Sequence, residues 1–174
     1  MSSIFNNKGT VLHDQKQRMY DFLEQNPVGV LSTVTPNSTP HGTVIYFTAD
    51  KRLVTSFITR AETRKHDNLK HNNHVMLTVF EPKTQAVVQI IGRALQVEGS
   101  YDVNGIASAI LGASLRTSEA GLPPVAKLQA GPFVGYKIIP QQVSMAVYAR
   151  PDSGDYEDLF ETLESYDLKK DTLA

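Results

Sequence analysis

Leu53–Phe80 reads LVTSFITRAETRKHDNLKHNNHVMLTVF, and its pattern decides how the rest of the chain is organised. Leu53–Thr59 is apolar and β-branched, as a buried strand is, and Val75–Phe80 is a second such run. Between them lie a polar corner, Thr59-Arg60-Ala61-Glu62-Thr63-Arg64-Lys65, and a short helix predicted over roughly 62–72. Free backbone N–H groups at a helix start attract anions, phosphate above all. Arg64 and Lys65 fall in the first helical turn, where the macrodipole disfavours a cation by roughly 0.3–1 kcal/mol. A bound dianion reverses that sign; a solvated basic corner is the plain alternative.

Toward the N-terminus, Asp14 and Gln17 have capping-box spacing, and Met19, Phe22 and Leu23 follow at helical intervals. This predicts a helix over about 13–25, stopped by Asn26-Pro27. Val28–Thr35 and His41–Thr48 are strand candidates separated by the turn-forming Pro36-Asn37-Ser38-Thr39-Pro40. Ala49-Asp50-Lys51-Arg52 is a hairpin-sized link into Leu53. Toward the C-terminus, Glu81-Pro82-Lys83-Thr84 turns the chain into Ala86–Val97, a long strand whose central Gly92 predicts a bulge or a close backbone approach. Ile106–Leu111 looks helical, and Gly112–Pro124 is irregular and suited to covering a pocket or a partner. Two last strands, Phe133–Ile139 and Val143–Tyr148, are expected on either side of Pro140-Gln141-Gln142. Tyr156, Leu159, Phe160 and Leu163 form an i, i+3, i+4, i+7 stripe that predicts an acidic C-terminal helix over about 155–166. Without repeats or linkers, residues 1–174 are expected to form one mainly-β domain, a closed antiparallel barrel of six to seven short strands with peripheral helices.

The 174 residues are enough for a sizeable core. A net charge of −1 gives no overall pull toward nucleic acid or an acidic membrane. The charge is uneven: residues 1–150 carry 15 basic against 10 acidic side chains, and residues 51–70 hold six cations and two acids. The absence of cysteine excludes disulfides, thiolate nucleophiles and cysteine-ligated metals, and fits a reducing cytoplasm. The N-terminus has no apolar signal-peptide core, and no apolar run approaches the ~20 residues of a spanning helix. A soluble, cytoplasmic protein is expected.

Hydrolase, P-loop and dinucleotide-binding motifs are missing. His66, His71 and His74 do not have the spacing of a metal-ligand set and read as exposed helix histidines. Asp155, Glu157, Asp158 and Glu161 read as a solvated helix face rather than paired catalytic carboxylates. Only Phe57 lies near the basic corner, so nucleic-acid binding is not expected. Gln89 stands in an apolar strand; a buried amide there needs partners, either as barrel wiring or as a ligand contact. A phosphate corner without nucleophile or metal points to a phosphorylated cofactor that brings its own reactivity.

Residues 18–98 resemble the FMN-binding split-barrel proteins related to pyridoxamine 5′-phosphate oxidase. The resemblance rests on Thr59, Thr63-Arg64-Lys65, Asn68-Leu69, Asn72-Asn73-His74-Val75 and Ile91-Gly92-Arg93-Ala94 in that order. FLEQNPVGVLSTV and Thr39-Pro40-His41 fit the same pattern. It implies an antiparallel split β-barrel and a homodimer holding FMN at the subunit interface. The barrel, together with Ile106–Leu111, is the candidate interface. By position, Arg64 and Lys65 would bind the phosphate with Thr63 nearby; Ile58 and Thr59 would line the cofactor, and Thr43, Val44, Ile45 and Tyr46 would contact ring or phosphate. The oxidase's arginine on the preceding strand falls at Thr43, and a glutamine of its later strand falls at Val87, with Gln89 a candidate substitute. Its C-terminal arginine-rich substrate signature has no counterpart here, which speaks against action on pyridoxamine phosphate. The implied function is an FMN-dependent oxidoreductase with a small-molecule electron donor or acceptor. The alternatives are a non-catalytic flavin- or haem-binding sensor or store, a deazaflavin-dependent reductase, and a split barrel that has lost its ligand.

Overall fold

The computed structural model describes residues 6–119, 121–148 and 164–167. Along the chain these form α1 (Asn6–Gln25), β1 (Val28–Val34), β2 (Pro40–Tyr46), β3 (Thr48–Ala49), β4 (Thr55–Arg60), α2 (Arg64–His71), β5 (His74–Glu81), β6 (Ala86–Gln96), α3 (Ser100–Thr117), α4 (Pro124–Lys127), β7 (Phe133–Val147) and β8 (Glu164–Asp167). One sheet runs in the order β2-β1-β5-β6-β7-β4-β3, with β8 on β7, and every pairing is antiparallel. The sheet curls until β2 approaches β4, but no ladder joins them. The protein is therefore mainly β, and its barrel is split, as the resemblance implied, and not closed, as the strand pattern alone suggested, because β2 and β4 share no ladder.

Strand periodicity sets the inside of the curl. In β6, Ala86, Val88, Ile90 and Ala94 are buried while Gln89, Ile91, Arg93 and Leu95 face out. Leu31, Ile45, Phe57, Leu77, Val79, Ile138 and Val143 join them, and Met19 and Leu23 of α1 close the core from one end. Phe57 stacks on Tyr136 with ring centroids 5.4 Å apart. A second, smaller cluster of Ile58, Ile106 and Ile110 fixes α3 to the other face of β4. Ile106 and Ile110 are thus spent on the chain's own packing, although the sequence offered that stretch to a partner.

Four expectations change. The first helix starts well before residue 13, so Asp14 is not its cap; Gln17 Nε2 instead donates to Asp21 Oδ1 at 2.7 Å along the helix. Helix α3 extends far beyond Ile106–Leu111, taking in part of the stretch that read as irregular. The two expected last strands are one strand, because Pro140-Gln141-Gln142 is a bulge and not a turn. The register passes from Ile91↔Gln142 to Gly92↔Pro140, leaving Gln141 as the extra residue. Proline, which has no N–H to give the ladder, is tolerated at such a break. Finally, the expected acidic helix over 155–166 lies outside the described residues up to 163, and its last three residues belong to β8.

Candidate functional site

The split in the barrel makes a cleft. Among the described residues β3 pairs only with Thr55 and Ser56, and β2 only with β1, so the rest of β4 and the far edge of β2 face each other without a ladder between them. Unpaired strand edges are ordinarily covered by something. Here they border a cleft of ≈ 260 Å³ lined by His41, Thr43, Val44, Ile45 and Tyr46 from β2 and by Ile58 and Thr59 from β4. Thr63, Arg64 and Lys65 at the start of α2 form one end, and Pro124, Val125 and Leu128 form a wall.

The corner is built by one hydroxyl. Thr63 sits in extended conformation ahead of α2, and its Oγ1 accepts from the backbone N–H of His66 at 3.4 Å. The same hydroxyl donates to the carbonyl of Arg60 at 2.7 Å. Its single proton is then committed, so the 3.0 Å contact with Thr59 Oγ1 has Thr59 as donor. Helix α2 buries only one apolar side chain, Leu69, and is otherwise anchored through polar groups. Asn68 Nδ2 donates to Thr33 Oγ1 at 2.9 Å, and Thr33 Oγ1 donates to the carbonyl of His41 at 3.2 Å. On the opposite flank, His66 Nδ1 and Tyr136 OH are 2.8 Å apart. Burial pushes the Tyr136 hydroxyl up to about 12, with Asp67 adding to the rise. It also holds His66 below its usual value, helped by Lys70 and opposed by Asp67. Both groups are neutral at pH 7. His66 is therefore not the exposed helix histidine its spacing suggested, whereas His71 and His74 are exposed. Among the described residues no three metal-ligating side chains converge.

Lys65 carries the unusual electrostatics. It is 8% exposed, and no described residue gives it an ion pair or a hydrogen bond. Burial lowers its ionisation to about 8. Arg64 beside it is exposed along the cleft and has no ion pair among the described residues. The acid of the first helical turn, Asp67, is exposed and outside the cleft lining.

Thr43, Val44, Ile45, Tyr46, Ile58, Thr59, Thr63, Arg64 and Lys65, singled out in the sequence, are thus brought together around one cleft. Gln89 is not among them. It is exposed on the outer face of the sheet, in a cross-strand row with Val44, Val30, Thr78 and Ser144, so it is no buried amide seeking partners. Two features escaped the sequence. His41 lies on the same strand face as Thr43, with Nδ1 3.5 Å from its hydroxyl, and the period-2 rule would have placed it there. Arg60 shares a face of β4 with Ile58 and reaches the wall; an arginine closing an apolar strand was the available signal.

An antiparallel barrel split beside a cationic corner and an apolar wall defines a class of small split-barrel proteins. The chain belongs to the pyridoxamine 5′-phosphate oxidase family, whose model matches residues 15–145. Among solved structures, it is similar to a candidate pyridoxamine 5′-phosphate oxidase from Listeria innocua. The two are 23% identical over 75% of this chain and 97% of that one, with a TM-score of 0.57. An FAD-binding protein from Mesorhizobium loti is 18% identical over 74% and 90% of the two chains, with a TM-score of 0.55. A heme binding protein from Mycobacterium smegmatis is 18% identical over 89% of this chain and 57% of that one, with a TM-score of 0.58. No curated protein matches the chain. No helix among the described residues is long and apolar enough to cross a membrane.

Proposed function

We propose that the cleft holds FMN and that the chain works in the cytoplasm as an FMN-dependent oxidoreductase with a small-molecule electron donor or acceptor. Lys65 carries this reading. A mostly buried lysine with no counter-ion among the described residues opposes folding in its charged form, and a phosphate at the corner would compensate it. The residues present fit such a group. Arg64 can grip phosphate oxygens through its fork, Lys65 adds a compact charge, and Thr59 and Thr63 bring hydroxyls. His41 supplies a polar group beside Thr43, where the oxidase has its arginine. Val44, Ile45, Tyr46, Ile58, Val125 and Leu128 offer an apolar bed for a flat ring and keep water from it. Bound flavin would supply hydride and electron transfer at its ring, while the chain binds, orients and desolvates it. Among the described residues, neither carboxylate nor thiol lines the cleft.

The reading includes a symmetric homodimer. The outer face of the sheet exposes Val30, Phe80 and Ile91 alongside Val44, which also lines the cleft, so a second copy on this face would close the site from outside. In that arrangement Gln89 faces the neighbouring chain. The alternative is a non-catalytic flavin- or haem-binding sensor or store, or a deazaflavin-dependent reductase; FAD-binding and heme binding proteins share the fold. The absorption spectrum of the purified protein separates flavin, deazaflavin and haem. Reduction of bound flavin by NADH or NADPH separates an enzyme from a binder. Arg64→Ala combined with Lys65→Ala is expected to abolish the yellow colour while the far-UV spectrum is unchanged. Stoichiometric FMN retained by that variant would reject the assignment.

A further inference from the structure

Within the wall of the cleft, helix α4 contributes little to its own placement. Helix α4 is four residues long, buries none of them and has no side-chain cap. The surrounding segment is bounded by Gly121 and Gly131, both at positive φ (72° and 78°), which only glycine adopts without strain. Val125 packs on the small cluster around Ile58 and Ile110, while Leu122, Pro124 and Leu128 are exposed.

The segment's start is tied to α3, where Ser114 Oγ donates to the carbonyl of Gly121 at 2.6 Å and Pro123 is buried; from Val125 onward what fixes it is the side chain of Arg60. Its Nε donates to the carbonyl of Val125 at 3.1 Å, Nη1 to that of Gly131 at 3.1 Å and Nη2 to that of Ala126 at 3.5 Å. The guanidinium lies 3.8 Å above the ring of Phe133, its cross-strand partner. Two backbone bonds continue the seam, from Ala61 N to Pro132 O and from Glu62 N to Ala130 O. The main chain of the same residue works on the other end of the site, since the Arg60 carbonyl accepts the Thr63 hydroxyl that caps α2. A single residue therefore ties the cationic corner, through its backbone, to the apolar wall, through its side chain.

We propose that Arg60 is a positioning residue that holds Pro124, Val125 and Leu128 at a set distance from the corner and thereby determines which ring the cleft accepts. This rests on the reading that a phosphorylated ring occupies the cleft. The guanidinium is suited to the task because three carbonyls in different directions need a planar fork, which an ammonium cannot replace.

The test uses the full chain with Arg60→Ala and Arg60→Lys. In ligand-free protein, amide hydrogen exchange over 122–131 is expected to rise by at least about tenfold in both variants, with exchange in α2 unchanged. The Kd for FMN is expected to rise by about tenfold or more, while that for inorganic phosphate stays within about twofold. Should Arg60→Ala fold poorly, Arg60→Lys keeps the charge and the stem and carries both readouts. Unchanged exchange over 122–131 overturns the proposal, and so does faster exchange with FMN affinity unaltered. If the wild-type chain takes up no flavin, the functional reading fails, and the exchange measurement alone then decides whether Arg60 holds the wall.

Discussion

Lys65 is placed where folding gains nothing from its charge. It ionises at about 8 instead of 10.5 because burial disfavours the ammonium. The sign follows from linkage: the charged form opposes folding fully below about pH 8, and the opposition fades as pH rises toward the unfolded value of 10.5. A bound phosphate acts in the other direction, because it favours the ammonium and draws a proton onto it. The contribution of Lys65 to FMN affinity is therefore expected to be constant with pH below pH 8 and to fall above it, approaching about tenfold per pH unit. Titration of FMN fluorescence across pH 7–9.5 checks this. Lys65→Met, which keeps the stem, is expected to leave the ligand-free melting temperature unchanged or to raise it by about 2–4 °C. The same change should weaken FMN by about tenfold or more and flatten the pH profile. Opposite movements of stability and binding mark a residue kept for a ligand; a Lys65→Met chain that melts lower and still binds FMN would show the charge serving the fold.

At the scale of elements, α2 is held by polar groups, which makes its position costly to disturb. Asn68→Ala leaves the buried Thr33 hydroxyl without its donor and is expected to destabilise the chain by about 1–3 kcal/mol, read by urea unfolding. Gly92 faces a harder limit. A Cβ there would clash with the carbonyl oxygen of Ile139, and that backbone is held in the β7 ladder. Gly92→Ala should cost about 1–3 kcal/mol of overpacking, or shift the bulge and broaden the unfolding transition. The close approach at Gly92 was legible in the sequence because glycine inside an apolar run has few other uses. The helix after Thr63 was legible for a similar reason: hydroxyl, cations and spacing agreed over a short stretch. Other features depended on contacts distant in the chain. Pro140-Gln141-Gln142 has the composition of a turn, and only pairing with β6 makes it a bulge. His66 looked exposed because its partner, Tyr136, stands 70 positions away. Gln89 was misplaced because β6 alternates with its apolar outer face exposed, which blurs the usual contrast between inward and outward residues. The Arg60 seam joins β4 to carbonyls more than 60 residues later, and carbonyls have no sequence signature.

For the whole molecule, the outer face of the sheet is the feature that the single chain leaves unexplained. Val44 is 60% exposed, Phe80 56%, Val30 42% and Ile91 42%, on adjoining strands, where polar residues would ordinarily stand. Burying side chains of this size is worth about 1.5–3 kcal/mol each, enough for a few of them to drive association. The face runs into the cleft at Val44, so under the proposed reading association and ligand binding would be coupled: FMN touching both chains would strengthen the dimer, and the dimer would retain FMN. Sizing with light scattering is expected to give twice the chain mass, with the dimer persisting to lower concentration when FMN is present. Ile91→Glu places a carboxylate in the middle of this face, on a strand whose inward residues are untouched. Its expected effects are a monomer at micromolar concentration, a dimer Kd raised by about 100-fold or more, and loss of FMN on dilution, with the far-UV spectrum unchanged. A monomeric wild-type chain that retains FMN would place the whole site within one copy and leave the exposed face to some other partner.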